Sequence, residues 1–252
     1  GASAAPIEAN ELSVYLPDGN LLLEAASNQI DELAAVLDSD GRDLRLRNAG
    51  DLLIGAFNDQ AGTARSGITL ASSVGGEAGY LRIEVIAADA DLIVGGDVIL
   101  NDSSGDSFLA DVDLRAGGDI RFEPDGVGRV SVDVDTGTVQ LIAGGSVTTN
   151  QGSNTDIDTA GAVRLEAGAG VGSSTDRLTI NGVSTLAASG GSGDVWISQT
   201  GSTNLTIGTV AALNADWLAG PTVASLSGVA TSSGDASIAL DLDGGDLMIT
   251  EV

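Results

Sequence analysis

Ala116-Gly117-Gly118-Asp119-Ile120 and Ala143-Gly144-Gly145-Ser146-Val147 are the stretches whose reading decides the fold. Each closes one short apolar alternation and opens another, with small residues and a Gly pair between. That punctuation marks a tight turn between two strands. The motif recurs as Val94-Gly95-Gly96-Asp97-Val98 and Ala167-Gly168-Ala169-Gly170-Val171, so successive starts are 22, 27 and 24 residues apart. Asn48-Ala49-Gly50-Asp51-Leu52 stands 46 residues before the first. Between the turns lie alternations such as Val112-Asp113-Leu114, Ile120-Arg121-Phe122 and Val130-Ser131-Val132-Asp133-Val134. Neighbours in a strand point to opposite faces, so the apolar member goes inward and the Asp or Arg outward. A step of 20–30 residues made of short strands predicts the rungs of an all-β parallel β-helix, a β-solenoid. Roughly ten rungs of 22–27 residues are expected, giving a rod about 50 Å long at ~4.8 Å per rung.

A longer repeat overlies the short one. Ile30–Ala35 matches Val183–Ala188 and Leu52–Gly55 matches Leu205–Gly208 at an offset of 153, with Asp43–Leu46 against Asp194–Ile197 between them. Leu81–Val85 matches Ala236–Leu240, and Asp91–Val94 matches Asp246–Ile249, at 155. The expectation is one continuous solenoid over residues 1–252. A first copy of a unit of about 150 residues covers 30–180, and a partial second copy covers 183–252. Residues 1–6 read as a linker or cloning remnant, with any export signal lying upstream. Asn150 to Asp158 and Ala211 to Ser225 break the strand pattern and are expected to bulge as loops. Tandem β-sandwiches are the competing fold. They call for longer strands, an aromatic core anchor and a linker near the middle, none of which the sequence displays.

Composition narrows the function classes. The charge is −26, from 36 acidic residues against ten basic ones, all of them Arg. Nucleic-acid affinity rests on cations neutralising phosphates, so a nucleic-acid partner is not expected. Anionic membranes repel such a surface, and no apolar run approaches the roughly 20 residues that span a bilayer. Without Cys or His there is no disulfide or thiol chemistry, and the commonest general acid/base is missing. An enzyme is therefore not expected. The enzymatic alternative is a polysaccharide-degrading β-helix working through paired carboxylates. Acid pairs such as Asp111/Asp113 and Asp133/Asp135 recur, however, without one dominant cluster.

Local motifs read on the same terms. Val134-Asp135-Thr136-Gly137 copies an aspartic-protease signature, but no second copy exists to share the proton. Gly168-Ala169-Gly170-Val171-Gly172 has the glycines of a dinucleotide loop but leads into strand, not helix. Asp38, Asp40 and Asp43 share the spacing Asp-x-Asp-Gly-x-Asp with Asp241, Asp243 and Asp246. Carboxylates set around a Gly turn offer the oxygen ligands calcium prefers, so both sets are candidate calcium ligands; solvated turn acids are the plainer account. Trp217, in the expected loop Ala211 to Ser225, either packs that loop down or forms an exposed ligand contact. No other cofactor is called for.

Two segments carry a resemblance. Gly170-Val171-Gly172 with Leu178-Thr179-Ile180 and Val183–Ala188 is one; Gly193–Ile197 through Asn204–Val210 is the other. Over residues 161–210 these resemble the repeats of giant bacterial exoproteins, the filamentous-haemagglutinin-like and autotransporter-like adhesins. The resemblance implies a right-handed parallel β-helix, secreted or displayed on the bacterial cell surface. It implies a stiff stalk acting in cell attachment or cell–cell contact. Partners would be a host or neighbouring cell surface, a glycan, or other copies of the fibre. It assigns no catalytic residue. The binding alternative is a carbohydrate- or calcium-binding module.

Overall fold

The computed structural model describes residues 5–39, 41–58, 62–72, 79–102, 110–124, 130–213 and 223–250. Among them there is no helix. Two large parallel sheets, of fourteen and ten strands, hold all but four of the strands. The remaining four form two short antiparallel pairs, Ala56–Asn58 with Ala64–Ser66 and Thr209–Val210 with Leu226–Ser227. The chain is thus all-β and built from large parallel sheets, consistent with a β-solenoid.

Register sorts the parallel strands into three rows. Leu52–Ile54, Leu92–Val94, Ile120–Phe122, Ser146–Thr149 and Gly170–Val171 pair in that order and form row one. Ile68–Ser72, Val98–Asp102, Val132–Val134, Ile157–Thr159 and Leu178–Asn181 form row two. Row three is the ten-stranded sheet, from Leu21–Leu23 to Leu247–Ile249. Longer strands such as Gln29–Asp38 and Val195–Thr200 serve rows one and two together: Glu32 faces Leu53 while Ala35 faces Ile68. The chain runs through rows one, two and three and then begins again, and the described residues make nine such cycles.

The alternation seen in the sequence becomes columns of inward side chains. Leu46, Ile83, Leu114, Leu141, Leu165 and Ala188 stack in row three. Leu52, Leu92, Ile120, Val147, Val171 and Val195 do the same in row one. All are buried in one continuous core. Burying such a side chain contributes about 1.5–3 kcal/mol, and here each depends on the cycles above and below it. The glycine column has a steric cause. A Cβ on Gly144 would lie 2.1 Å from the Gly117 carbonyl oxygen, and one on Gly168 would lie 2.1 Å from that of Gly144. The corners stack too closely for a side chain.

Several expectations need correction. Cα partners are 24 residues apart from Val139 to Val163 and 23 from Val163 to Leu186. They are 37 apart from Leu44 to Leu81 and 42 from Leu205 to Leu247. The 22–27 step holds only where nothing is inserted, while the nine cycles agree with the roughly ten expected. One insertion is the antiparallel hairpin of Ala56–Asn58 and Ala64–Ser66, whose three-residue strands give little sequence signal. Another follows Ile207; residues 214–222 of the expected Ala211–Ser225 loop lie outside the described residues. The Gly motifs at Ala116, Ala143 and Ala167 all turn from row three to row one, whereas that at Val94 turns from row one to row two. The spacings of 27 and 24 are therefore cycle lengths, and 22 is not.

The 153-residue offset does not map a row onto itself. Leu52–Ile54 lies in row one and Leu205–Ile207 in row three; Leu81–Val85 lies in row three and its match at Ile238 in a row-one strand. The blocks agree because all rows share one alternation.

Candidate functional site

Outward positions of a sheet ordinarily meet water, but one outward column of row three does not. Arg45, Arg82, Asp113, Gln140, Arg164 and Ala187 form one outward column. From Arg82 to Ala187 it is buried, Asp113 completely. Leu213 and Ala224, on either side of residues 214–222, reach it. Arg115 Nη2 and Gln140 Nε2 donate to the Leu213 carbonyl at 2.9 and 3.4 Å, and the Leu213 amide returns to Gln140 Oε1 at 3.1 Å. Arg164 donates to the Ala224 carbonyl at 3.1 Å. Asp113 centres the network, accepting from Arg115 Nε at 2.9 Å, Gln140 Nε2 at 2.7 Å and the Tyr80 hydroxyl at 3.4 Å. Arg82 Nε lies 3.5 Å from it. Burial, followed by the charge of Asp113, pushes the Tyr80 phenol well above its ordinary range.

A second pattern runs along the corner from row three to row one. An Asp precedes the first apolar residue of many strands, and its carboxylate takes the amide at the same position one cycle on. Asp51 Oδ1 accepts from Asp91, Asp91 Oδ1 from Asp119, and Asp119 Oδ1 from Ser146, at 2.7–2.9 Å. These amides start strands and have no strand partner below, so the carboxylates satisfy donors that would otherwise go unpaired. Part of the acidity of the chain is therefore architectural. The ladder lapses at Ser146 and Gly170 and resumes at Asp194, which accepts from Ser237 at 2.7 Å.

A groove of about 510 Å³ opens at that lapse, lined by Ser146, Gly170, Ser192, Asp194, Trp196 and Asp235 among others. The Trp196 indole N–H donates to Asp194 Oδ2 at 3.2 Å. The Arg177 guanidinium lies over the indole, 5.3 Å from the ring centroid, and pairs with Asp241 at 2.5 Å. The Ser237 amide and then the indole hold the Asp194 carboxyl below its ordinary range.

Asn150–Asp158 does not bulge as an inserted loop: Ile157–Thr159 is a row-two strand 25 residues after Val132–Val134, and Asp156 is buried just before it. It accepts from the Thr149 hydroxyl, Gln151 Nε2 and the Thr179 amide, each at 2.7 Å. Desolvation outweighs those donors and pushes its carboxyl up to about 6. On row two, Asp133 and Asp158 are Cα partners. The Asp133 carboxyl is raised chiefly by burial and then by the charges of Asp158, Asp135 and Asp97.

The candidate calcium ligands are dispersed. Asp38 accepts from the Tyr15 hydroxyl at 3.0 Å, and Asp43 pairs with Arg45 at 2.5 Å. Asp40 lies outside the described residues. Asp241 pairs with Arg177, and the amide of Asp246 donates to Asn204 Oδ1 at 2.9 Å. The amide of Asp243 donates to the Gln199 carbonyl at 2.9 Å, and no group of three or more acidic residues converges as a metal site among the described residues. Trp217 also lies outside the described residues. Asp111 and Asp113 share the outward face, as their alternation requires, but Asp113 is fully buried. Sequence reasoning passed over the Trp196 groove and the ladder. An Asp directly before a strand, at Asp51, Asp91, Asp119 and Asp194, was the signal that marks them.

No family model, curated protein or solved structure matches the chain.

Proposed function

We propose that the chain is a segment of right-handed parallel β-helix from a large secreted or surface-displayed bacterial protein, serving as a stiff spacer in cell attachment or cell–cell contact. One observation carries this reading: parallel pairing and a single apolar core continue from cycle to cycle across the nine cycles. Stability in such a stack is a sum of neighbour terms, so length can grow without a new kind of core. At ~4.8 Å per strand spacing, nine cycles have a rise of about 40 Å. The resemblance of residues 161–210 to adhesin repeats supports the attachment role. A repeated surface favours many weak contacts that sum through avidity.

Beads coated with the folded chain test the attachment role. Bead binding to bacterial and epithelial cells well above that of beads carrying the heat-denatured chain is the expected result. Equal binding by both would remove the adhesive role and leave a spacer alone.

A further inference from the structure

We propose that the groove beside Trp196 is a binding subsite for a neutral saccharide chain. The proposal is independent of the attachment role, since a spacer without this site remains a spacer. The groove exists because the corner ladder lapses. Where Asp51, Asp91 and Asp119 fill the corner lower in the stack, Ser146 and Gly170 leave it open. Gly170 offers no side chain to the amide of Asp194, whose equivalents in the three steps from Asp91 to Ser146 are each bound by a carboxylate.

Three features fit a sugar. The first is an aromatic ring fixed before any ligand arrives. Asp194 holds the edge of the Trp196 indole and Arg177 lies over one face, with Asp241 holding Arg177 in turn. A rigid Trp gives the C–H face of a pyranose a large apolar platform at little entropic cost. The second is the set of polar groups around it: serine hydroxyls from Ser146 and Ser192 and carboxylates from Asp194 and Asp235. These can accept from sugar hydroxyls, and the serines can also donate to them. The third is size, since about 510 Å³ falls within the range of small-molecule sites.

The same features argue against other ligands. A net charge of −26, with two carboxylates in the wall, repels an anionic polymer. A peptide added as a β-strand needs a free sheet edge, whereas Val195–Thr200 is paired on both sides, with Gly170–Val171 and with Ile238–Leu242.

The test is isothermal titration of the chain with cellohexaose, xylohexaose and maltohexaose, and with hexagalacturonate as the anionic control. Two variants separate site from fold. Trp196→Ala removes the platform. Ser146→Asp extends the carboxylate ladder into the groove and preserves or raises the melting temperature. At least one neutral hexasaccharide is expected to bind with a change in tryptophan fluorescence, and each variant to weaken it at least about tenfold. If Trp196→Ala fails to fold, Trp196→Phe and Ser146→Asp carry the comparison. The proposal is overturned if no neutral hexasaccharide binds, if hexagalacturonate binds more tightly, or if affinity survives Ser146→Asp unchanged.

Discussion

Asp113→Ala is the substitution that presses hardest on the covered face of row three. Asp113 is fully buried, and Arg82 and Arg115, at 3% and 10% side-chain exposure, both depend on it. Removing the carboxylate leaves two guanidinium groups in a dry site. Arg82 keeps its longer ion pair with Glu84, at 3.9 Å, and Arg115 keeps the Leu213 carbonyl. Breaking a buried pair from one side costs ~3–5 kcal/mol, because the uncompensated charge stays behind. Replacing all three together, Arg82→Met, Asp113→Leu and Arg115→Met, removes the stranded charges but leaves Gln140 Nε2 and the Tyr80 hydroxyl without their acceptor, so it is expected to cost less than the single substitution without being neutral. Urea unfolding at pH 7 measures both, followed by circular dichroism and by tryptophan fluorescence. Coincident transitions are needed because stacked arrays can lose two-state behaviour. Proteolysis adds a local readout, since Arg115 and Gln140 also hold Leu213. Cleavage within the insertion should accelerate in Asp113→Ala before global unfolding. A cost below about 1 kcal/mol for Asp113→Ala, or a triple variant as unstable as the single one, would refute the reasoning.

Other expectations follow from the same geometry. Leu141→Ala opens a cavity in the middle of an inward column and should cost ~2–5 kcal/mol by urea unfolding, whereas Thr148→Ala on the outward face should stay within ~0.5 kcal/mol. Asp119→Ala removes the acceptor of the Ser146 amide at a half-buried corner, and should cost ~1–2 kcal/mol and speed hydrogen exchange at that amide. Asp156 has a folded pKa of about 6, above its unfolded value of 3.8. The stability held by its protonated form is complete below about pH 4 and is lost as pH rises through 6. Relative to Asp156→Asn, the wild type should therefore lose ~2–3 kcal/mol between pH 4 and pH 7.5, as measured by urea unfolding at each pH. A pH-independent difference would count against the burial of an ionised Asp156.

The sequence displays the strands and their inward faces, because alternation and Gly turns are local properties. At Val112, Leu114 and Ile120 the apolar residue goes inward as its period requires. Row identity is not local. A Gly-Gly turn at Val94 and one at Ala116 look alike, and only pairing with the cycles above and below tells a row-one corner from a row-three corner. The matched blocks of the long repeat lie in different rows for the same reason. The covered face is less legible still, since Arg115 meets Leu213 across 98 residues. In sequence Asp113 is one more outward acid. The Trp196 groove opens where the column lacks a carboxylate, at Ser146 and Gly170, and an absence in a column becomes visible only once the column is assembled.

Cysteine cross-linking tests the three-row register most directly, because the chain contains no cysteine of its own. Cα partners on neighbouring parallel strands lie ~4.8 Å apart, within the span a disulfide bridges. Arg121→Cys with Thr148→Cys, and Ile99→Cys with Asp133→Cys, are outward partners in rows one and two. Both pairs should oxidise to intramolecular disulfides, detected by mass spectrometry after proteolysis, while Ile99→Cys with Thr148→Cys stays reduced. Cross-linking of that mismatched pair, with failure of the two matched ones, would contradict the account.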